Sequence, residues 1–344
     1  MSTASPHVAV VLMNLGGPGS LDEVEPFLYN IFVDPEIIRL PLGFLWQKAF
    51  ARRISRKRAP ESRAIYARIG GRSPLLEQTR AQGAALEAAL GPGYRTYVAM
   101  RAWKPDTEEA VDRLLAAGAT EVVALPLYPQ RSFTTSGSSM KELRRVLRKK
   151  APGLKLSEVC CFPTDPGFLD VWADAIREKL EAIPEGRRER AHVLFSAHGL
   201  PRETIDRGDP YLAQVQATVR GVMERLPPGL AHGLAFQSRA TRVKWLEPAT
   251  EHALHDLAKA GVKDVIVVPI AFVTEHVETL YELDELLREP AVAAGIEGYH
   301  RVPTPGTAAG LIDRLAARIR QAQASPEGWV CGGTAGGRCP QGRR

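Results

Sequence analysis

The sequence predicts an α/β protein made of two similar doubly wound parallel-sheet domains that face a central cleft, and three observations lead there. Apolar runs of strand length alternate with helical patterns along 344 residues, a length that suits two domains better than one core. LLAAGATEVVALP, from Leu114, returns as LAKAGVKDVIVVP, from Leu257, each with a helix end, an Ala-Gly turn, an acidic residue, a buried strand and a proline. The composition, 44% hydrophobic, 24% charged and 7% aromatic, is that of a globular chain and excludes wholesale disorder. The expected division is an N-terminal domain over 7–165, a C-terminal domain over 166–305, and a helix with a cysteine-bearing tail over 306–344 that packs back on the body.

In chain order, VAVVLMNL is the first strand. It is shorter than the ~20 residues needed to cross a bilayer, and no basic region precedes it, so the expected place is the cytoplasm. NLGGPGS follows, without the glycine spacing of a dinucleotide loop or the lysine of a phosphate loop. Residues 27–58 break the alternation, apolar and aromatic first and then basic; between Lys48 and Arg72 stand nine Lys or Arg and one acid, Glu61. One reading is a core helix with a solvated basic face. The other is a lip that dips apolar side chains into one leaflet while its cations meet anionic headgroups or ligand carboxylates, giving peripheral association with the inner membrane. Without zinc-finger spacing or an RNP-like aromatic strand, nucleic acid is not an expected partner.

YRTYVAMRA and EVVALPLYP continue the first set of strands, and SFTTSGSSMKEL then starts a hydroxyl-rich helix. In the second set, HVLFSAHG places His198 at a strand's carboxyl end, where open α/β sheets bind ligands; GLAFQSR and DVIVVPIAF complete the set. On the helix expected after Phe272, steps of about 100° put Glu275, Glu278, Glu282 and Glu285 within an arc of about 80°. Such a stripe is either a solvated face or a site. Glu275, His276 and Glu278 fall in the first turn, where the helix dipole favours carboxylates, and this supports the second reading.

LMNLGGPGSLDEVEPFL, YARIGGRSP, LYPQRSFTTSGSS, LFSAHGLP with the downstream RGDPY, FQSRATRVKWLEP and VPIAFVTEHVETLYELDEL together resemble the ferrochelatase family, in that family's order and over nearly the whole chain. The resemblance implies Rossmann-like chelatase domains and insertion of Fe²⁺ into protoporphyrin IX with release of two protons, the last step of heme biosynthesis. It implies His198 and Glu278 as a catalytic pair and as ligands of the substrate iron, and Glu275, His276, Glu282 and Glu285 as a proton or metal path. An imidazole of near-neutral pKa would suit a base. Leu15, Arg101, Ser132 and Trp245 would touch the porphyrin or its propionates, with Arg58 at the lip. Two positions depart from the family: Ala102 stands in MRAW where members often carry Tyr, and Glu61 where relatives have a basic residue. A coproporphyrin III ferrochelatase and a heme or tetrapyrrole carrier are the alternatives, although a carrier has no use for a base opposite a carboxylate. The oligomeric state is open, a homodimer included.

Some ferrochelatases hold a [2Fe–2S] cluster through C-terminal cysteines and one internal cysteine within the segment matching SFTTSGSS, where this chain has Phe133. Cys160, Cys161, Cys331 and Cys339 nevertheless make four thiols, the number a cluster needs. A cluster held by all four is the expectation; two buried thiols without a cluster is the alternative.

Overall fold

Two fully parallel sheets form the frame of the protein. The computed structural model describes residues 6–332 except 39, 41 and 240–242, and of Phe44 only the backbone. The first sheet has the order β2-β1-β3-β4-β9, with β1 at His7–Asn14, β2 at Tyr94–Met100, β3 at Ala119–Pro126, β4 at Lys155–Val159 and β9 at Trp329–Val330. The second has the order β6-β5-β7-β8, with β5 at His192–His198, β6 at Ala231–Gln237, β7 at Asp264–Pro269 and β8 at Gly298–Arg301. The chain divides into two compact units, one running to Cys161 and including Ile312–Cys331, the other Phe162–Leu311.

The apolar runs form strands because both faces of each sheet are covered. Residues 9–14 of β1 and the whole of β7 are buried, as continuous apolar sequence in a parallel sheet requires. On one face of the first sheet, Val11, Met13, Val122 and Ala124 pack with Leu143 and Val146 of the helix Ser138–Lys150. In the second unit, Val265 and Val267 pack with Leu254, Leu283 and Ile296. Fully burying each such side chain stabilises by roughly 1.5–3 kcal/mol.

The internal echo is structural. Gly118 and Gly261 take φ of 77° and 80° at the turns before β3 and β7, a backbone region that costs glycine nothing. Each strand ends at its proline, and each is followed by a π-helical segment, Phe133–Gly137 in one unit and Glu278–Leu286 in the other. The second segment corrects the sequence expectation of an α-helix: i→i+5 bonding widens the turn, so steps of about 100° do not apply. Glu275 and His276 precede it, and only Glu278 lies in its first turn.

Of residues 27–58, 27–33 lie on the helix Val24–Val33 and 43–58 on the helix Gly43–Arg68. Lys48, Arg52, Arg53, Arg56 and Lys57 are exposed on the second. Leu42, Leu45 and Trp46 at its start are 65%, 70% and 42% exposed, far from core-like. Among the described residues no helix is long and apolar enough to cross a membrane.

Candidate active site

The carboxyl ends of β5, β6 and β7 supply the side chains of a compact polar cluster in the second unit. His198 is the last residue of β5, and its Nδ1 lies 2.7 Å from the Gly199 carbonyl oxygen. That contact places the Nδ1 proton and leaves Nε2 as the nitrogen that titrates. Nε2 lies 3.3 Å from Glu278 Oε1. The Tyr211 hydroxyl donates to the His198 carbonyl at 3.0 Å, and burial pushes its phenol pKa up, so Tyr211 acts here as a donor. A side chain at Gly199 would meet the Gln237 carbonyl oxygen at 2.8 Å and the Trp245 ring at 3.3 Å, so the glycine lets Trp245 lie close against the chain just after His198.

Glu278 stands between two imidazoles. His276 Nδ1 is 3.2 Å from its Oε2, and the Glu278 backbone N–H donates to the same nitrogen at 3.1 Å. Nδ1 must then be unprotonated. Burial agrees, lowering the His276 pKa against the charges of Glu278 and Glu275, and Phe272 stacks edge-on to the ring at 4.2 Å. His198 behaves oppositely. Burial lowers its pKa, but the Glu278 hydrogen bond, with the charges of Glu278 and Glu282, outweighs burial and raises it to about 9. The near-neutral imidazole expected from sequence is therefore an imidazolium at neutral pH, paired with a carboxylate. Burial also opposes the Glu278 charge, and the two neighbouring imidazoles, His276 and His198, outweigh it and hold that carboxyl well below its usual range. Because His276 is itself kept neutral, His198 is the partner that matters at neutral pH.

The other glutamates have separate partners. Glu282 accepts from the Ser238 N–H at 2.7 Å, the Ser238 hydroxyl at 2.5 Å and the Gln237 amide at 3.2 Å. Burial and the neighbouring Glu278 charge push its pKa up despite these bonds. Ser238 has φ 65°, an uncommon left-handed conformation for a residue other than glycine, and with it donates both its N–H and its hydroxyl to this carboxylate. Glu275 pairs with Arg301 at 2.8 Å and accepts from the Thr304 N–H at 2.9 Å. Burial opposes its charge, and Arg301 more than compensates, lowering its pKa. Glu285 is half-buried farther along the π-helix. The glutamate stripe thus divides into an inner pair, Glu278 and Glu282, and a glutamate committed to Arg301. Gln237, Ser238, Tyr211 and Arg301 were not assigned from sequence, although FQSR and RGDPY stood among the quoted motifs.

The first unit has its own polar cluster. Leu15, just past β1, accepts the Ala102 N–H at 2.8 Å. Arg101 donates to the Ser138 hydroxyl at 2.7 Å and pairs with the buried Asp34 at 2.7 Å. Burial raises the Asp34 pKa against the Arg101 charge. A pocket of about 360 Å³ opens here between Asn30, Asp34, Arg101, Ala102, Trp103 and Lys104. Ser132 is buried and caps the π-helical segment, its hydroxyl accepting from the Thr134 N–H. Arg58 is half-buried on the helix Gly43–Arg68.

Three of the four cysteines come together in that unit. β9 pairs with β4, and the Cys160 N–H donates to the Val330 carbonyl at 2.8 Å, which brings Cys331 to the end of β4. The ligand atoms of Cys160, Cys161 and Cys331 lie within 4.8 Å of one another, with Cys161 Sγ 3.6 Å from Cys331 Sγ. The adjacent pair Cys160 and Cys161 therefore turns both sulfurs to one place. Cys339 lies outside the described residues.

A family model described as Ferrochelatase matches residues 7–323. The chain is 46% identical over 317 residues to a ferrochelatase from Geotalea uraniireducens, covering 92% of this chain and 98% of that one. It is 45% identical to one from Aquifex aeolicus, with 86% and 93% covered. Among solved structures, SirB from Bacillus subtilis with Fe³⁺ shares the fold, with a TM-score of 0.56 at 14% identity, covering 94% of this chain and 98% of that one.

Proposed function

The chain belongs to the ferrochelatase family, metal-inserting enzymes of heme biosynthesis that take a porphyrin and ferrous iron as substrates, and we propose that its porphyrin is protoporphyrin IX and that His198 and Glu278 carry out the insertion. The observation behind this is the contact of 3.3 Å between His198 Nε2 and Glu278 Oε1 at the end of β5. Insertion replaces two pyrrole N–H protons by Fe²⁺, so the site must attract a cation and remove protons. In the resting pair the His198 imidazolium neutralises Glu278. Fe²⁺ arriving at the Glu278 carboxylate takes over that neutralising role, and the partly exposed His198 imidazolium gives its proton to solvent, because two cations now compete for one carboxylate. The neutral Nε2 then accepts a pyrrole proton. Glu282, whose pKa is raised, is the next acceptor, and Ser238 and Gln237 hold it in place.

The experiment is anaerobic iron insertion by His198→Ala. Loss of general-base function lowers the rate at least ~100-fold, while quenching of porphyrin fluorescence on binding persists. Activity within about tenfold of the parent removes His198 from this role.

Protoporphyrin rather than coproporphyrin is supported by the apolar side chains of Leu42, Leu45 and Trp46, which suit the less carboxylated substrate. A higher kcat/KM for coproporphyrin III overturns that choice. The same side chains, beside exposed Lys48, Arg52 and Arg53, support peripheral binding to an anionic membrane surface from the cytoplasmic side. Flotation with anionic vesicles should fall when Leu45 and Trp46 are both changed to Ser, and unchanged flotation rules this anchor out.

The cysteine site fits a [2Fe–2S] cluster by its donors: three thiols gathered at one place, with the Arg131 guanidinium donating to Cys160 Sγ at 3.4 Å. Cys160, Cys161 and Cys331 would hold it, with Cys339 as the fourth ligand. Such a cluster carries one electron reversibly. The protein's part is to hold the cluster and to set its charge environment.

A further inference from the structure

We propose that Arg131 is the charge partner of the cysteine site: it sets the reduction potential of the iron–sulfur cluster and shields the neighbouring Ser132 segment from the cluster's charge. The proposal rests on the cluster reading above. Arg131 is 7% exposed, and its Nη1 donates to Cys160 Sγ at 3.4 Å. A buried guanidinium keeps its charge and calls for negative charge nearby, and a cluster ligand is a thiolate rather than a thiol. The other guanidinium on this side, Arg144, is matched differently. It forms a two-bond ion pair with Glu158, two residues before Cys160. Arg131, among the described residues, is a cation that donates a hydrogen bond to a cysteine sulfur.

Its place in the chain gives the contact a second consequence. The next residue is Ser132, whose carbonyl accepts the Gly137 N–H at 2.9 Å and so closes the π-helical turn, while the Ser132 hydroxyl caps it. One peptide bond thus joins the cation on the cluster ligand to the segment expected to meet porphyrin propionates. A hydrogen bond and a positive charge at sulfur favour the reduced, more negative state and raise the potential. Reduction adds a negative charge at the sulfur site that Arg131, one residue before Ser132, contacts, so the reduced protein binds an anionic porphyrin more weakly. By linkage, porphyrin binding lowers the potential by the same free energy.

The test is an EPR-monitored redox titration, with dithionite as reductant, of the full-length protein purified without oxygen, together with deuteroporphyrin IX binding to oxidised and reduced protein by fluorescence. In the parent a cluster signal appears, and porphyrin dissociation constants differ by about fivefold between the two states. In Arg131→Met the midpoint moves to more negative values and the difference in porphyrin affinity grows, since the shielding cation is gone; Arg131→Lys restores both in part. An Arg131→Met protein with its cluster signal present and both readouts unchanged overturns the role of Arg131 alone. A parent protein with no cluster signal and no bound iron and sulfide overturns the cluster reading and this proposal together. If Arg131→Met does not fold, Arg131→Lys decides by the same two readouts, with smaller shifts of the same sign, and parent-like values refute the proposal.

Discussion

After β3 the chain passes Pro126 and winds into the π-helical segment Phe133–Gly137; after β7 it passes Pro269 and winds into Glu278–Leu286. The first segment carries hydroxyls, Ser132, Thr134, Ser136 and Ser138, with Arg101 on Ser138 and Arg131 on Cys160. The second carries carboxylates and follows closely on Glu275 and His276, with His198 on Glu278 and Arg301 on Glu275. One backbone plan thus serves two electrostatic tasks. Neutral hydroxyls beside guanidiniums suit carboxylates of a ligand, whereas a half-buried carboxylate between two imidazoles suits a cation and moving protons. The fold brings both segments to the carboxyl ends of parallel strands, and side-chain charge alone decides what each attracts.

The sharpest way to break this comparison is to remove the charge from the second segment. Glu278→Gln should lower turnover by about 100-fold and leave the porphyrin KM within about threefold, because the lost charge matters as iron displaces protons more than in porphyrin binding. A mutant that only raises KM would make Glu278 a ground-state contact. The same change has a signature in pH. Glu278 raises the His198 pKa to about 9 in the folded protein, above the ~6.5 of an unfolded chain. The pairing therefore stabilises the fold fully below about pH 6.5, and this contribution is lost as pH rises through about 9. Thermal unfolding measured from pH 6 to 10 should show that decline in the parent and lose it in Glu278→Gln.

A second substitution separates structure from reaction within the carboxylate segment. Arg301→Met leaves Glu275 and Asp284 without their partner and should cost about 3 kcal/mol of stability, read by urea unfolding. Turnover of the folded fraction should fall less than about fivefold; a loss like that of Glu278→Gln would place Glu275 on the proton or metal path. The smallest effect belongs to the hydroxyl segment. Ser132→Ala removes one neutral hydrogen-bonding group, worth ~1 kcal/mol, so the porphyrin dissociation constant should rise by about fivefold with kcat unchanged. A drop in kcat without weaker binding would assign Ser132 to the chemistry instead.

Much of this was legible in the linear chain. The runs in β1, β3, β5 and β7 announce buried parallel strands by their continuous apolar residues, and the repeated Ala-Gly, acid and proline pattern announces two equivalent halves. His198 stands at a strand end because the run stops there. β4, β8 and β9 went unread: Lys155–Val159 and Gly298–Arg301 are short and polar, and Trp329–Val330 is a strand only because β4 lies beside it.

Sequence by itself determined periodicity, burial and therefore fold class, along with the family and the residues from which a site could be built, because these depend on side chains close together in the chain. Tertiary structure decided which partner each carboxylate takes, since Glu275 meets Arg301 and Glu282 meets Ser238 only across long intervals of chain. It likewise decided that His198 rests as an imidazolium and that Cys160, Cys161 and Cys331 share one place. A charge is set by the groups around it in space, and those groups arrive only when distant strands have paired.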